Sequence, residues 1–162
     1  MKYIYGPVKS RRLGLSLGVS IIPHKTCNFD CVYCQLGSTT NKTQESKEYA
    51  KTEEVLAELR EFFLEHKDKP LNLHYITLSG SGEPTLNRRI GELILGIKKI
   101  SSLPIAVITN SALLIDERVR FALINADLII PSLDTAEQEV FEKINQPLEN
   151  FKIEDIIEGL IK

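Results

Sequence analysis

Three cysteines stand close together in the first quarter of the chain. Cys27, Cys31 and Cys34 form a CxxxCxxC pattern, and the chain has three cysteines in all. Thiolates at this spacing are typical metal ligands, and an iron–sulfur cubane usually takes four of them. A cubane held by three cysteines keeps one iron without a protein ligand, free to coordinate a small molecule. The pattern therefore indicates an open cluster of the kind that does catalysis.

Two other uses of the thiols stay open. A disulfide framework needs an even number of cysteines and an oxidising compartment, and three cysteines leave one unpaired. A structural zinc site closes with four ligands, so a residue such as His24 or Asp30 would have to complete the set. The second ligand cluster of the usual zinc pattern is missing from the sequence, so the iron–sulfur interpretation is favoured.

The composition is that of one soluble domain with an ordinary core. Hydrophobic residues make up 43% of 162 residues, and 20 basic against 22 acidic residues give a net charge of −2. No global basic field attracts nucleic acid, and the small basic cluster within residues 1–14 is more readily a solvated surface than an RNA contact. The sequence shows neither a secretory signal nor a membrane-spanning run. We expect a cytoplasmic protein without a membrane partner.

The elements alternate between strands and helices. Residues 1–14 are predicted to be an irregular entry segment and 35–51 a long exposed loop. Strands are predicted over 15–22, 71–78, 104–108 and 127–133. Helices are predicted from Thr52 to a stop at residues 67–70, which include Pro70, and over 87–100, 116–125, 135–144 and from Ile153 onward.

This alternation predicts the α/β class, with a parallel sheet covered by helices. Four strands make only part of a (β/α) barrel, which takes about 250 residues when complete. We therefore expect one domain over residues 1–162, a partial barrel with an open sheet. The exposed edge would be that of the last strand, and a later segment or a second copy of the chain would cover it.

Polar residues follow each predicted strand. They are the cysteine motif, the Gly-rich turn 80–84, the segment 109–111 and Asp134. Parallel strands bring their carboxyl ends to one edge, where α/β folds bind ligands. The sequence thus predicts one site built from four loops.

The cysteine spacing, with Tyr33 directly before Cys34, resembles that of radical S-adenosylmethionine (radical SAM) enzymes. This resemblance implies a [4Fe-4S] cluster on Cys27, Cys31 and Cys34, SAM on the fourth iron, and an external electron donor. It also implies reductive cleavage of SAM to a 5′-deoxyadenosyl radical that acts on a substrate the sequence does not identify. The catalytic residues toward that substrate stay unknown.

The same resemblance implies the SAM contacts. Ser81-Gly82-Glu83 is similar to the family's Gly-Gly-Glu motif, which faces the methionine end of SAM, with serine replacing the first glycine. Thr109 and Asn110 resemble the segment near the ribose, and Asp134 resembles a site-facing acidic residue. A bulky residue at Gly82 is accordingly expected to block SAM and to leave the cluster intact.

Residues 5–14, 27–35, 81–86 and 132–134 together resemble a subgroup close to the wyosine-forming tRNA enzymes. A tRNA substrate is therefore one alternative, although the chain lacks cysteines for a second cluster and its net charge is slightly negative. A further alternative is an iron–sulfur electron-transfer or sensor module without radical chemistry. The histidines are expected to be structural or solvated: His24 in a surface loop, His66 solvated at a helix end, and His74 in a strand.

Overall fold

The computed structural model describes residues 1–69 and 71–162; Pro70, assigned above to the stop of the first helix, lies outside them. The strands are β1 (Ile4–Ser10), β2 (Gly14–Val19), β3 (Thr26–Cys27), β4 (Asn41–Lys42), β5 (Tyr75–Leu78), β6 (Ile105–Thr109) and β7 (Leu128–Pro131). The helices are α1 (Thr52–Glu65), α2 (Ile90–Lys98), α3 (Glu117–Leu123), α4 (Gln138–Asn145) and α5 (Ile153–Ile161). A single 3₁₀ turn, Pro84–Leu86, precedes α2.

The main sheet has five strands in the order β1-β2-β5-β6-β7. The four predicted strands correspond to β2, β5, β6 and β7, and their pairings are parallel. The α/β class and the parallel core of the sheet are confirmed. Within the described residues the sheet has two free edges, so this part of the chain does not close into a barrel.

The strand count of four was wrong, because residues 1–14 are not irregular. Strand β1 pairs antiparallel with β2, with a shift of register between Tyr5 and Val8. The pair Gly6-Pro7 lies at that shift, and a Gly-Pro pair is typical of a turn that ends a strand. Proline is tolerated there because β1 is an edge strand and the shift leaves local backbone groups outside the ladder.

The helices and strands position the site through two apolar clusters. The larger cluster includes Leu59, Ile76 and Ile94, and it packs α1 and α2 against the sheet. A smaller cluster joins Phe29 in the cysteine loop to Phe141 of α4 and to Ile156 of α5. Helix α5 therefore packs against the cysteine motif.

The far edge of the sheet is apolar and exposed. Strand β7 is the last strand of the order, and Leu128 on it is 37% exposed. Phe121 and Ile124, near the end of α3, are 74% and 68% exposed. That a second copy of the chain covers this edge stays a prediction. No helix within residues 1–69 and 71–162 combines the length and the apolar character that crossing a membrane requires.

The three histidines lie outside the cysteine motif and the other predicted site residues. His24 is exposed, as predicted, and His74 Nδ1 accepts the Leu15 N–H at 3.1 Å, which is a structural bond. His66 differs from the prediction of a solvated side chain. Its ring stacks on Phe62 with 4.4 Å between centroids, and its Nδ1 lies 2.8 Å from the Phe62 carbonyl oxygen.

Candidate functional site

The cysteine loop, residues 27–34, begins in β3 at the carboxyl edge of the sheet. Strand β3 pairs with β4, so the segment predicted to be one long loop contributes a short strand that borders the site. On its other side Thr26 forms a parallel bridge to Gly82. The start of the cysteine loop is therefore held by backbone bonds on both sides.

The middle of the cysteine loop is tied to a segment far along the chain. The Asp30 N–H donates to the Asn145 carbonyl at 3.0 Å, and the Val32 N–H donates to the Ile144 carbonyl at 2.9 Å. The Leu148 N–H returns a bond of 3.2 Å to the Asn28 carbonyl. Two aromatic rings of this region, Phe141 and Phe151, meet Phe29 edge to face at 5.3 and 5.8 Å. The end of α4 and the turn after it thus shape the loop.

One cavity of about 250 Å³ lies at this edge of the sheet. Every residue that the sequence assigned to the cluster or to SAM lines it: Cys27, Cys31, Tyr33, Cys34, Ser81, Gly82, Glu83, Thr109, Asn110 and Asp134. The structure therefore brings all four strand-end loops together, as the sheet topology predicted. Which of these residues touch a cofactor stays a prediction.

Each cysteine sulfur has a nitrogen donor from a different part of the chain. Asn110 Nδ2 lies 3.6 Å from Cys27 Sγ. Asn145 Nδ2 lies 3.4 Å from Cys31 Sγ, and Lys25 Nζ lies 3.5 Å from Cys34 Sγ. Donors at sulfur stabilise negative charge on it, which is what a thiolate ligand of a metal carries.

The surroundings of Cys27 and Cys31 disfavour the thiolate form. Burial, with a smaller contribution from the Glu83 carboxylate, raises the pKa of Cys27 to about 12. Burial also raises the pKa of Cys31, against hydrogen bonds from Asn145 and Tyr33 that lower it. A bound cation reverses this balance, because a coordinating thiol is deprotonated outright.

Glu83, which is 2% exposed, joins two of the strand-end loops through its carboxylate: its own turn and the segment 109–111. Oε1 accepts the Thr85 N–H at 3.0 Å, the Thr85 hydroxyl at 2.5 Å and the Thr109 hydroxyl at 2.7 Å. Oε2 accepts the Asn110 N–H at 2.7 Å. Burial raises the pKa of Glu83 against these bonds, which lower it. The side chain therefore organises the turn from within, and the Thr109 hydroxyl is committed to it.

The glycine at position 82 is required by the protein backbone itself. A Cβ at Gly82 would lie 1.8 Å from the Thr26 carbonyl oxygen, far inside contact distance. The neighbouring bonds, Lys25 N–H to the Ser81 carbonyl at 2.7 Å and Glu83 N–H to the Thr26 carbonyl at 3.2 Å, continue this close pairing. A side chain here would displace Thr26, which is next to Cys27. The expectation that a bulky residue at position 82 blocks SAM and leaves the cluster intact therefore lacks its physical basis.

Tyr33, Asp134 and Asn145 form a polar network at the mouth of the cavity. The Tyr33 hydroxyl donates to Asp134 Oδ2, and Asn145 Nδ2 donates to the same oxygen at 2.7 Å. Burial and the bond to Asp134 raise the pKa of Tyr33. The network links the exposed Asp134 to the Cys31 sulfur through a single amide group.

Sequence reasoning missed the site residues Lys25, Asn28 and Asn145. A signal existed for Asn145, which follows Phe141 by four residues and so shares the buried face of its helix, where an unpaired amide would be costly. Lys25 gave no signal, because lysine is mostly an exposed residue.

The donor set fits an iron–sulfur cluster. The three cysteines are free thiols, each within reach of a nitrogen donor. Asn28 Nδ2 is also buried beside Cys27 without a hydrogen-bond partner in the described structure, and a cluster sulfur is an acceptor it could use. Among the described residues, no three His, Cys, Asp or Glu side chains are arranged as ligands of one metal ion.

The fold and the site define an α/β protein with a three-cysteine site at the carboxyl edge of a parallel sheet. The family model described as the Radical SAM superfamily matches residues 21–162, and the chain belongs to this superfamily. The matched segment contains every predicted site residue.

Several curated proteins are similar to the chain. A protein named GTPase Obg from Brachyspira hyodysenteriae is 44% identical over 161 residues, which are 99% of this chain and 23% of that protein. A UPF0026 protein of Methanocaldococcus jannaschii is 37% identical over 99% of this chain and 49% of its own length. A probable GTP 3′,8-cyclase of Saccharolobus islandicus is 29% identical over 73% of the chain and 35% of its own length. The chain thus spans half or less of each of these relatives.

Proposed function

We propose that Cys27, Cys31 and Cys34 bind a [4Fe-4S] cluster and that the fourth iron binds SAM. When bound, the cluster supplies the electron that cleaves the SAM sulfonium into methionine and a 5′-deoxyadenosyl radical, which then acts on a substrate. An external one-electron donor in the cytoplasm recharges the cluster. The observation that carries this proposal is the convergence of three free thiols and the predicted SAM residues in one cavity of a superfamily member.

The residues around the cavity have separate roles in this proposal. The backbone of Ser81 and Gly82, held against the cysteine loop, presents the methionine end of the ligand with a fixed surface. Glu83 and Thr109 act as positioning residues, because their polar atoms are buried and bonded to each other. Asn110 and Asp134, which are less buried, stay available to the ribose and to the polar mouth of the site.

SAM cleavage by the reconstituted chain tests the proposal. The protein is loaded anaerobically with iron and sulfide, mixed with SAM and dithionite, and assayed for 5′-deoxyadenosine by mass spectrometry. Replacing any one of the three cysteines by Ala should abolish both the brown chromophore and SAM cleavage. Full iron content in such a variant would contradict the assignment. Cluster binding by wild type without 5′-deoxyadenosine would instead support a sensor or electron-transfer module.

A tRNA substrate is the second candidate, and two observations favour testing it. Lys9, Arg11 and Arg12 lie in or beside the β1–β2 hairpin and are exposed. A second cavity of about 740 Å³, lined in part by Lys9, shares Tyr33 and Cys34 with the first and gives a large substrate room beside the cluster. Transfer of deuterium from deuterated, unmodified tRNA into 5′-deoxyadenosine would support this candidate, because the 5′-deoxyadenosyl radical takes a hydrogen atom from its substrate. 5′-Deoxyadenosine that gains no deuterium in the presence of this tRNA would count against it.

A further inference from the structure

Lys25 is a buried lysine at the back of the cysteine loop. Its side chain is 3% exposed, and its Nζ donates to the Gly37 carbonyl and lies 3.5 Å from Cys34 Sγ. Both ends of its backbone are fixed, since the N–H donates to the Ser81 carbonyl at 2.7 Å and the carbonyl accepts the Asn41 N–H at 3.0 Å. The side chain is therefore held in place from three directions.

No carboxylate of the described residues forms an ion pair with the Lys25 ammonium. None of the ion pairs within residues 1–69 and 71–162 includes Lys25. Taking an ammonium out of water is costly unless an opposite charge compensates it. The backbone at Lys25 has φ 61, a left-handed conformation that non-glycine residues seldom adopt and that tends to mark functional sites. A buried cation without an ion-pair partner among the described residues, on an uncommon backbone conformation, indicates an anionic ligand at this place.

We propose that Lys25 is the electrostatic partner of the cluster, placing a positive charge beside Cys34 so that the reduced state is stabilised. This inference rests on the proposed function, because the anion is the thiolate-ligated cluster. Reduction adds one electron from the external donor to the cluster; no bond to Lys25 forms or breaks, and no proton moves. The added negative charge interacts favourably with the fixed ammonium.

The other two sulfurs have a different kind of donor. Cys27 and Cys31 face the amides of Asn110 and Asn145, which are neutral dipoles. Among these three sulfur donors Lys25 is therefore the one that carries a full charge. Hydrogen bonds and charge near the sulfurs are among the factors that set the potential of a cluster. Lys25 should accordingly have the largest effect of the three on the midpoint.

The test is a redox titration of the reconstituted chain, without SAM, followed by electron paramagnetic resonance. Lys25→Met keeps the length of the stem and removes the charge. At a fixed potential the ratio of reduced to oxidised cluster should fall about tenfold, which is about 59 mV for one electron. Lys25→Arg should retain most of the wild-type midpoint. The control Lys42→Met removes an exposed lysine beside the same loop, where water screens the charge, and should leave the midpoint unchanged.

Urea unfolding of the metal-free chain separates the electrostatic role from a structural one. Without the cluster the buried Lys25 charge lowers the free energy of unfolding, so metal-free Lys25→Met should be at least as stable as wild type. An unchanged midpoint in Lys25→Met, or a metal-free variant clearly less stable than wild type, would overturn the inference. If Lys25→Met takes up no cluster, rescue of uptake by Lys25→Arg supports it, and failure of both variants overturns it. A wild-type chain that binds no cluster would instead overturn the proposed function.

Discussion

Replacing Glu83 by Gln tests whether a buried carboxylate holds the strand ends of the site together. Three donors converge on Oε1 and the Asn110 N–H donates to Oε2. An amide has a single oxygen, so one of these positions must hold an NH₂ group that faces another donor. The better orientation keeps the oxygen toward Thr85 and Thr109 and leaves the Asn110 N–H without an acceptor.

The expected loss follows from these bonds. An unsatisfied buried N–H costs about 1–3 kcal/mol, and the three remaining bonds weaken because their acceptor loses its charge. Relief of the buried charge offsets part of this loss, since burial raises the pKa of Glu83. We therefore expect Glu83→Gln to lower the free energy of unfolding by about 2 kcal/mol. Urea unfolding of the metal-free chain, followed by circular dichroism at pH 7, measures it.

The matched control is Glu61→Gln. Glu61 lies on the exposed side of α1 and makes no hydrogen bond or ion pair within the described structure. Its substitution should change stability by less than about 0.5 kcal/mol, as surface changes usually do. If Glu83→Gln were as stable as this control, the four bonds would not be a stabilising network, and the account of Glu83 as an organising group would be wrong.

Three further predictions follow from the packing and the protonation of the site. In the metal-free chain at pH 8, iodoacetamide should modify Cys27 far more slowly than it modifies the same cysteine in urea, because the thiol is mostly protonated below its raised pKa. The modification rate should rise as the pH approaches about 12. Equal rates in the folded and the unfolded chain, measured by peptide mass mapping, would contradict this. Gly82→Val should reduce iron content together with SAM affinity, because its side chain collides with Thr26; normal iron content with lost SAM binding would restore the ligand-facing account of this glycine. Phe29→Ala should cost about 3–5 kcal/mol in urea unfolding, since it empties the space against Phe141; a cost below about 1 kcal/mol would show that this cluster does not anchor the loop.

The parallel core of the sheet could be predicted because its strands are short apolar runs separated by helices of clear periodicity. That topology then placed polar loops from four separate segments at one edge, and the cavity contains residues from all four. The antiparallel strand β1 escaped prediction because Gly6-Pro7 is typical of a chain break, and only pairing with β2 outweighs that local preference.

The finer structure of the site depends on partners that lie far apart in the chain. No local pattern indicates that Asn145 donates to Cys31 or that Lys25 is buried, since both facts arise from packing. A close approach of the backbone at Gly82 was expected toward the ligand, and that expectation stays a prediction. The close approach is to the Thr26 carbonyl, and such contacts between segments become visible only once the fold is known.

The bonds between the cysteine loop and the end of α4 have a consequence for biosynthesis. Cys31 and the amide that supports it are separated by 114 residues, and the backbone partners of Asp30 and Val32 lie in the same distant segment. During translation the three thiols leave the ribosome long before the end of α4, which bonds to their loop, has been synthesised. At about 5–20 residues per second, the nascent chain exposes them for several seconds at least. Iron delivered during that interval would reach a cysteine loop that lacks its hydrogen-bond partners from α4. Cluster insertion is therefore expected to follow the synthesis of α4.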